Sequence, residues 1–352
     1  MTGIRVGRSS SFFAAFVALA SVIVLTGCSA LHLGAPAFNT STVNGTQIPM
    51  QMPRIDGGHP FITVSTTVAG GAAVPLLVDT GSPGVRVFAN KVGSTGITRT
   101  DTPVSVTFAD GTTFGGVEAS APVSFGGLTT SGPINIQLIT AVSCADGHPE
   151  CAGAGGIKKF ADTQAFSGIL GLGMQSADIY SPMSQLSGGS PTSFSITSTP
   201  SGGTATMTLN SPPTSPIATY SMQAWTEPQL PNGYPAWASN QAQACWAYGG
   251  QSSTCVPTAF DTGSPTLFTD GSVAGAPSVT GPVAAGTTLA MTATAGGVPI
   301  WSVTAGSTPG KNTVQVESLQ GGNNVNTGIS VFAGQVVTFD LENGNVLISR
   351  AS

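Results

Sequence analysis

Apolar residues in this chain come in short runs, alternating or continuous, set apart by Gly, Pro, Ser, Thr and Asn. The stretch "HPFITVSTTVAGGAAVPLLVDTGS" starts at His59, breaks at "AGGAAVP" and resumes. That is the pattern of a hairpin whose second strand delivers Asp79 at its end. Further on, "IATYSMQAW" reads as a strand, the Pro/Asn/Gly-rich "TEPQLPNGYP" as a loop, and "STCVPTAFDTGS" as a strand ending at Asp261. The C-terminal "NTGISVFAGQVVTFDLENGNVLIS" closes as a hairpin with "ENGN" at its turn. Helical periodicity is confined to short stretches, the best of them near "YSPMSQLSGG".

Composition supports the same reading. The chain has 352 residues with 47 Gly and 25 Pro, and only 7% are charged. Strand formers and turn formers dominate, which predicts an all-β protein. The length suits two lobes of roughly 150 residues, each able to bury its own core. The expected organisation is a signal peptide over 1–27, a flexible tether over 28–58, and β lobes over 59–205 and 206–352.

The N-terminus stands outside that fold. Arg5 and Arg8 precede the unbroken apolar run "FFAAFVALASVIVL", and "LTGCSA" follows it directly. A run of about 14 residues is short for a membrane span, so this reads as a secretion signal. Leu25, Thr26 and Gly27 ahead of Cys28 resemble a bacterial lipobox, which implies cleavage before Cys28 and lipid on its sulfur. A transmembrane anchor and a plain signal peptide are the alternatives. The resulting expectation is an exported chain held to a membrane by an N-terminal lipid.

The formal net charge is −5, and it becomes more negative once Arg5 and Arg8 are removed. No basic patch is present, so nucleic acid is not an expected partner. Beyond Cys28 four cysteines remain, Cys144, Cys151, Cys245 and Cys255, and an even number in an exported chain reads as disulfides. Three connectivities are open, and the local pairs 144–151 and 245–255 are the simplest. No CxxC occurs and His32, His59 and His148 are scattered, so neither a metal nor another cofactor is expected. Trp225, Trp237, Trp246 and Trp301 are spaced irregularly and read as core or rim residues rather than as a carbohydrate-stacking platform.

The candidate chemistry lies in two near-identical stretches, "LLVDTGSPGVRVF" from Leu76 and "TAFDTGSPTLF" from Thr258. A carboxylate behind an apolar strand is costly unless it is bonded, paired or used. One Asp-Thr-Gly-Ser could be a turn, since all four residues favour turns. Two copies, each after an apolar strand, read as an internal duplication. "FSGILGLGMQS" follows the first copy and "NTGISVFAG" the second, each an apolar–Gly junction.

This constellation resembles the bilobal, pepsin-like aspartic endopeptidases over roughly residues 59 to 350. The resemblance implies an all-β fold with a cleft between two related lobes, and a peptide or protein as substrate. It implies a catalytic pair Asp79 and Asp261 that shares one proton, because two facing carboxylates cannot both ionise comfortably. It further implies that Thr80 and Thr262 reach across to the opposite lobe's backbone. Gly81 and Gly263 would let the backbone approach the carboxylates closely, and Ser82 and Ser264 would bond the outer carboxylate oxygens. The family's flap hairpin is matched by "VSVTFADGTTFGG", with Phe108 at the position of the family's tyrosine and Asp110-Gly111 at the turn. Arg86 stands where the family has the tryptophan that receives the tyrosine's hydrogen bond, so both ends of that bond are changed.

The family's zymogens often carry a basic pro-segment, whereas residues 29–58 offer only Arg54 and His32, so no self-activating form is expected. A complete pair of lobes removes any need to dimerise, and a monomer is expected. Two rivals remain: a catalytically silent pepsin-like lipoprotein that binds peptides or cell-envelope material, and a carbohydrate-binding β domain.

Overall fold

The computed structural model describes residues 44–54, 60–199, 203–225, 229–306, 314–319 and 322–351, all within one compact unit, Phe38–Ser352. The expected signal peptide, Cys28 and most of the tether lie outside the described residues. The described chain is all-β in two sheets, one of fifteen strands and one of eight.

Part of the expected tether is structured. Gln47–Met52 is a strand that alternates exposed and buried, turning Ile48, Met50 and Met52 into the main core. It pairs antiparallel with Gly203–Leu209, Ile48 opposite Met207. The alternation covers only six residues and includes a proline, and its long pairing is with a strand far away in sequence, Gln51 alone pairing with the nearby Thr63.

That strand belongs to an antiparallel run built from widely separated parts of the chain. Ala218–Ser221, Asn345–Arg350, Gln335–Asp340, Ser193–Ser198, Gly203–Leu209 and Gln47–Met52 are neighbours in that order. Phe194 stacks on Phe339 with ring centroids 4.8 Å apart, and the facing hydroxyls of Ser195 and Thr338 bond at 2.8 Å. Residues 205 and 206 are therefore consecutive within one strand, and residues 206–352 divide between the two sheets. The C-terminal hairpin forms around its expected turn, with Asp340 Oδ1 accepting from the backbone N–H groups of Glu342 and Asn343.

Each Asp-Thr-Gly-Ser motif sits in the same topology. In the first unit Val74–Asp79 leads into the motif, Pro83–Phe88 leads out, and Gly168–Leu172 lies between them, parallel to the former and antiparallel to the latter. In the second unit Thr254–Ala259 and Leu267–Thr269 flank Val325–Asn326 in the same sense. The entering strand of the first unit is buried on both faces: Leu76 and Val78 join the main core while Leu77 joins a second, phenylalanine-rich cluster. That explains its unbroken apolar sequence.

The expected helix near residue 180 is a single 3-10 turn, Pro182–Gln185, whereas an unexpected α-helix spans Gly156–Thr163. The helix is eight residues long and its apolar face is Phe160 with Ile157 packed beside it, too short a stripe to read as a helical period. Both local disulfides form, Cys144–Cys151 and Cys245–Cys255. Trp246 is fully buried and donates to Thr258 Oγ1, and Trp301 packs against it edge-on. Trp237 donates to Leu341 O, while Trp225 is exposed.

Candidate active site

The two motifs meet face to face. Thr80 Oγ1 donates to Phe260 O at 2.6 Å, and Thr262 Oγ1 donates to Val78 O at 2.7 Å. Each hydroxyl also accepts the opposite threonine's backbone N–H, Thr262 N to Thr80 Oγ1 at 3.0 Å and Thr80 N to Thr262 Oγ1 at 3.2 Å. Both threonines are buried, so this reciprocal lattice satisfies backbone groups 182 residues apart that would otherwise be orphaned.

The glycines are needed for the approach. A Cβ on Gly81 would fall 2.6 Å from Asp261 Cγ, and one on Gly263 would fall 2.7 Å from Asp79 Cγ. No real side chain tolerates such contacts, so each glycine makes room for the opposite carboxyl.

The inner carboxylate oxygens are both held by backbone N–H groups, two on Asp79 and one on Asp261. Asp79 Oδ1 accepts from the backbone of Gly81 (2.8 Å) and Ser82 (3.1 Å), and Asp261 Oδ1 accepts from Gly263 (2.7 Å). The outer oxygens are held differently. Ser82 Oγ bonds Asp79 Oδ2 at 2.5 Å, as expected. Ser264 does not do the same for Asp261: its hydroxyl turns back to Thr266 O at 2.8 Å and accepts from Thr266 N. The outer oxygen of Asp261 takes its bond from Asn326 Nδ2 instead, at 2.7 Å. A serine two residues before a threonine can close its own local turn, and that turn wins over the carboxylate here.

Burial, reinforced by the charge of Asp261, raises Asp79 from 3.8 to about 7, against the pull of its bonds from Ser82 and Gly81. Two facing carboxyls with one of them protonated near neutrality form a proton-sharing pair. Such a pair can hold and deprotonate a water and protonate an oxygen within one site.

A cavity of about 330 Å³ opens over the pair. Its wall includes Phe61, Phe108, Phe114, Phe166 and Phe268, and both aspartates reach it. The expected flap forms from Thr98–Thr107 and Thr112–Ala121, with Phe108 set edge-on against Phe114 (5.1 Å between centroids). Its turn is anchored rather than free. Asp110 Oδ2 accepts from Thr112 Oγ1 and from Ala152 N, and Gly111 O accepts from Ala145 N at 2.8 Å. Ala145 follows Cys144 and Ala152 follows Cys151, so the disulfide ties down the segment that holds the flap tip.

Arg86 is 7% exposed, and its Nε and Nη1 have no hydrogen-bond partner. Gln137, opposite it in the parallel register, donates to Val104 O and Phe114 O but leaves its buried Oε1 unpartnered. Burial lowers the Arg86 pKa, and the charge of Asp79 opposes that.

The structure brings together both aspartates, both threonines and both glycines named from the sequence, and adds Asn326, to which the sequence assigns no role. The signal was present: aligning the glycine of "SGILGLG" with that of "VNTGIS" puts a polar Asn326 where the first copy has apolar Ile169. Register confirms the equivalence, since Ile169 lies opposite Leu77 and Arg86, and Asn326 opposite Ala259 and Phe268.

Comparison with known proteins bears on the fold. A family described as a protein of unknown function (DUF3443) matches residues 66–224, a span that includes the first motif and stops short of the second. No curated protein matches the chain. Among solved structures, the crystal structure of an aspartic proteinase from Irpex lacteus aligns with a TM-score of 0.54 at 16% identity, covering 88% of this chain and 98% of that one. The likeness shows that this chain has the bilobal, all-β pepsin-like fold.

Proposed function

We propose that the protein is an aspartic endopeptidase whose catalytic pair is Asp79 and Asp261. The observation that carries this reading is the pair itself: two carboxyls brought together by a reciprocal threonine lattice, under a flap, in an apolar cavity. A water bound between them loses a proton to the ionised carboxylate as its oxygen bonds the peptide carbon. The protonated carboxyl delivers its proton to the carbonyl oxygen, giving a neutral tetrahedral diol. Breakdown returns one diol proton to the pair, protonates the amine and breaks the C–N bond. The phenylalanine-lined cavity suits a large apolar side chain next to that bond, with the peptide extended across the cleft.

Export and lipid tethering at Cys28 belong to the same proposal. They are supported by the composition of residues 1–28 and by two disulfides, which persist in oxidising compartments. A binding role without turnover is favoured by one observation, the anchoring of the flap turn to the Cys144–Cys151 loop.

The two readings separate in one assay. The full chain is incubated with a mixed peptide library from about pH 3 to about pH 7, beside Asp79→Asn and Asp261→Asn, with and without a hydroxyl-bearing peptide mimic of the tetrahedral state. The peptidase reading expects cleavage that the mimic blocks and that either substitution lowers by at least about a hundredfold. A folded protein that binds peptide and cleaves none would overturn it.

A further inference from the structure

We propose that Asn326 is a positioning residue of the aspartate pair, keeping Asp261 as the ionised partner and leaving the shared proton on Asp79. This deepens the peptidase reading and rests on it for its catalytic meaning, though not for its physical test.

The geometry assigns a direction to each bond. Gly328 N donates to Asn326 Oδ1 at 2.9 Å, which fixes the amide so that Nδ2 faces Asp261 Oδ2. An amide nitrogen can only donate, so it favours the carboxylate, whose oxygens can only accept. A protonated Asp261 would have to place its proton on Oδ1, which already accepts from Gly263 N, or on Oδ2 against an N–H. Asp79 faces no such constraint. Its outer oxygen meets the Ser82 hydroxyl, which can donate to a carboxylate or accept from a carboxylic acid. The inner oxygens do not set this order, since Asp79 Oδ1 takes two backbone N–H bonds and Asp261 Oδ1 takes one; the assignment rests on the outer partners.

Position and burial support the assignment. Asn326 is 9% exposed, is clamped between strands through Ala259 and Phe268, and lines the same cavity as the pair. The neighbouring Thr327 hydroxyl accepts from Asp261 N at 3.3 Å, so one short segment holds Asp261 from both its backbone and its side chain. The charged or titratable groups facing the pair are Asp110 on the flap, which shares the cavity, and Arg86 on the strand leaving the first motif, which feels Asp79. Neither hydrogen-bonds Asp261, whereas Asn326 does.

The test is a carboxyl titration of the full chain labelled with γ-¹³C aspartate, with the pair's signals identified by Asp79→Asn and Asp261→Asn. Asn326→Ala removes the donor. It is expected to move the lower of the pair's two titration steps up by about one pH unit, a tenfold rise in proton affinity. Asn326→Asp keeps the shape and the acceptor for Gly328 N but offers Asp261 a second carboxyl. It is expected to move that step further than Asn326→Ala does, an order that a purely structural role would not produce. If Asn326→Ala does not fold, the near-isosteric Asn326→Asp alone decides. A lower step unmoved in every folded variant overturns the assignment, whatever the peptidase assay gives. Absence of peptide cleavage by the wild type overturns the peptidase reading and leaves the titration able to confirm or reject the role of Asn326.

Discussion

Ile169 and Asn326 occupy the same place in the two Asp-Thr-Gly-Ser units, and so do Arg86 and Phe268. In the first unit the aspartate is flanked by an aliphatic side chain and a buried, incompletely paired guanidinium. In the second it is flanked by a donating amide and an aromatic ring. The backbone frame is nearly the same in both: entering strand, motif, leaving strand, and a third strand wedged between them. The residues that build that frame are repeated in both copies, and the residues that tune the charge differ. Duplicated topology brings two carboxyls together, and their hydrogen-bond surroundings differ.

The largest effect expected from that inequality is on stability against pH. Asp79 binds its proton more tightly in the folded protein than the ordinary value of 3.8, up to about 7. The folded state therefore holds more protons than the unfolded one between those values, and stability falls as pH rises through them. The loss is on the order of a few kcal/mol at neutral pH. Asp79→Asn removes it, so melting temperatures of wild type and variant should diverge from about pH 4 to about pH 7, in favour of the variant. Melting curves that run parallel in pH would show that the first unit carries no extra proton and that the two aspartates are alike.

The threonines should respond alike, and so calibrate the comparison. Thr80→Val and Thr262→Val each remove a buried hydroxyl that serves two backbone groups of the other unit. Each should cost about 1–3 kcal/mol in denaturant unfolding, with nearly equal values. The double variant should fall short of the sum, because each hydroxyl has already lost its partner's lattice. Clearly unequal single losses would mean that the frame itself, and not only its surroundings, is lopsided.

What could be read from sequence follows the same division. The repeated motif, its apolar approach strands and the paired apolar–Gly junctions are local, short-range patterns, and they mark both aspartates, both threonines and the hairpin entering the first motif. The second motif's strand pairs instead with Ala242–Tyr248, while the expected strand before it, Ala218–Ser221, pairs with Asn345–Arg350 in the other sheet. Ser264 was misjudged because its fate depends on a competition between its own turn and a carboxylate across the site, which no local pattern encodes. Asn326 lay in a recognised segment, yet its donor role appears only once Gly328 fixes the amide's orientation in space. Gln47–Met52 is hidden for a related reason: six of its residues pair with Gly203–Leu209, more than 150 residues away, and only Gln51 pairs with the nearby Thr63.

The smallest expected effect separates the two serines. Ser82→Ala removes the hydroxyl from Asp79 Oδ2, and that hydroxyl helps hold Asp79 ionised, so its loss should raise the upper titration step of the pair. In a peptidase assay the neutral-side limb of the pH–rate profile moves up with it, by a few tenths of a unit to about one unit. Ser264→Ala loses only the turn to Thr266 and should leave both limbs in place, at a stability cost of at most about 1 kcal/mol. Set beside Asn326→Ala, which should act on the acid-side limb, Ser82→Ala assigns each limb to one outer-oxygen partner. An equal shift from the two serines would mean that Ser264 rotates onto Asp261 in solution, and the difference between the units would then rest on Asn326 alone.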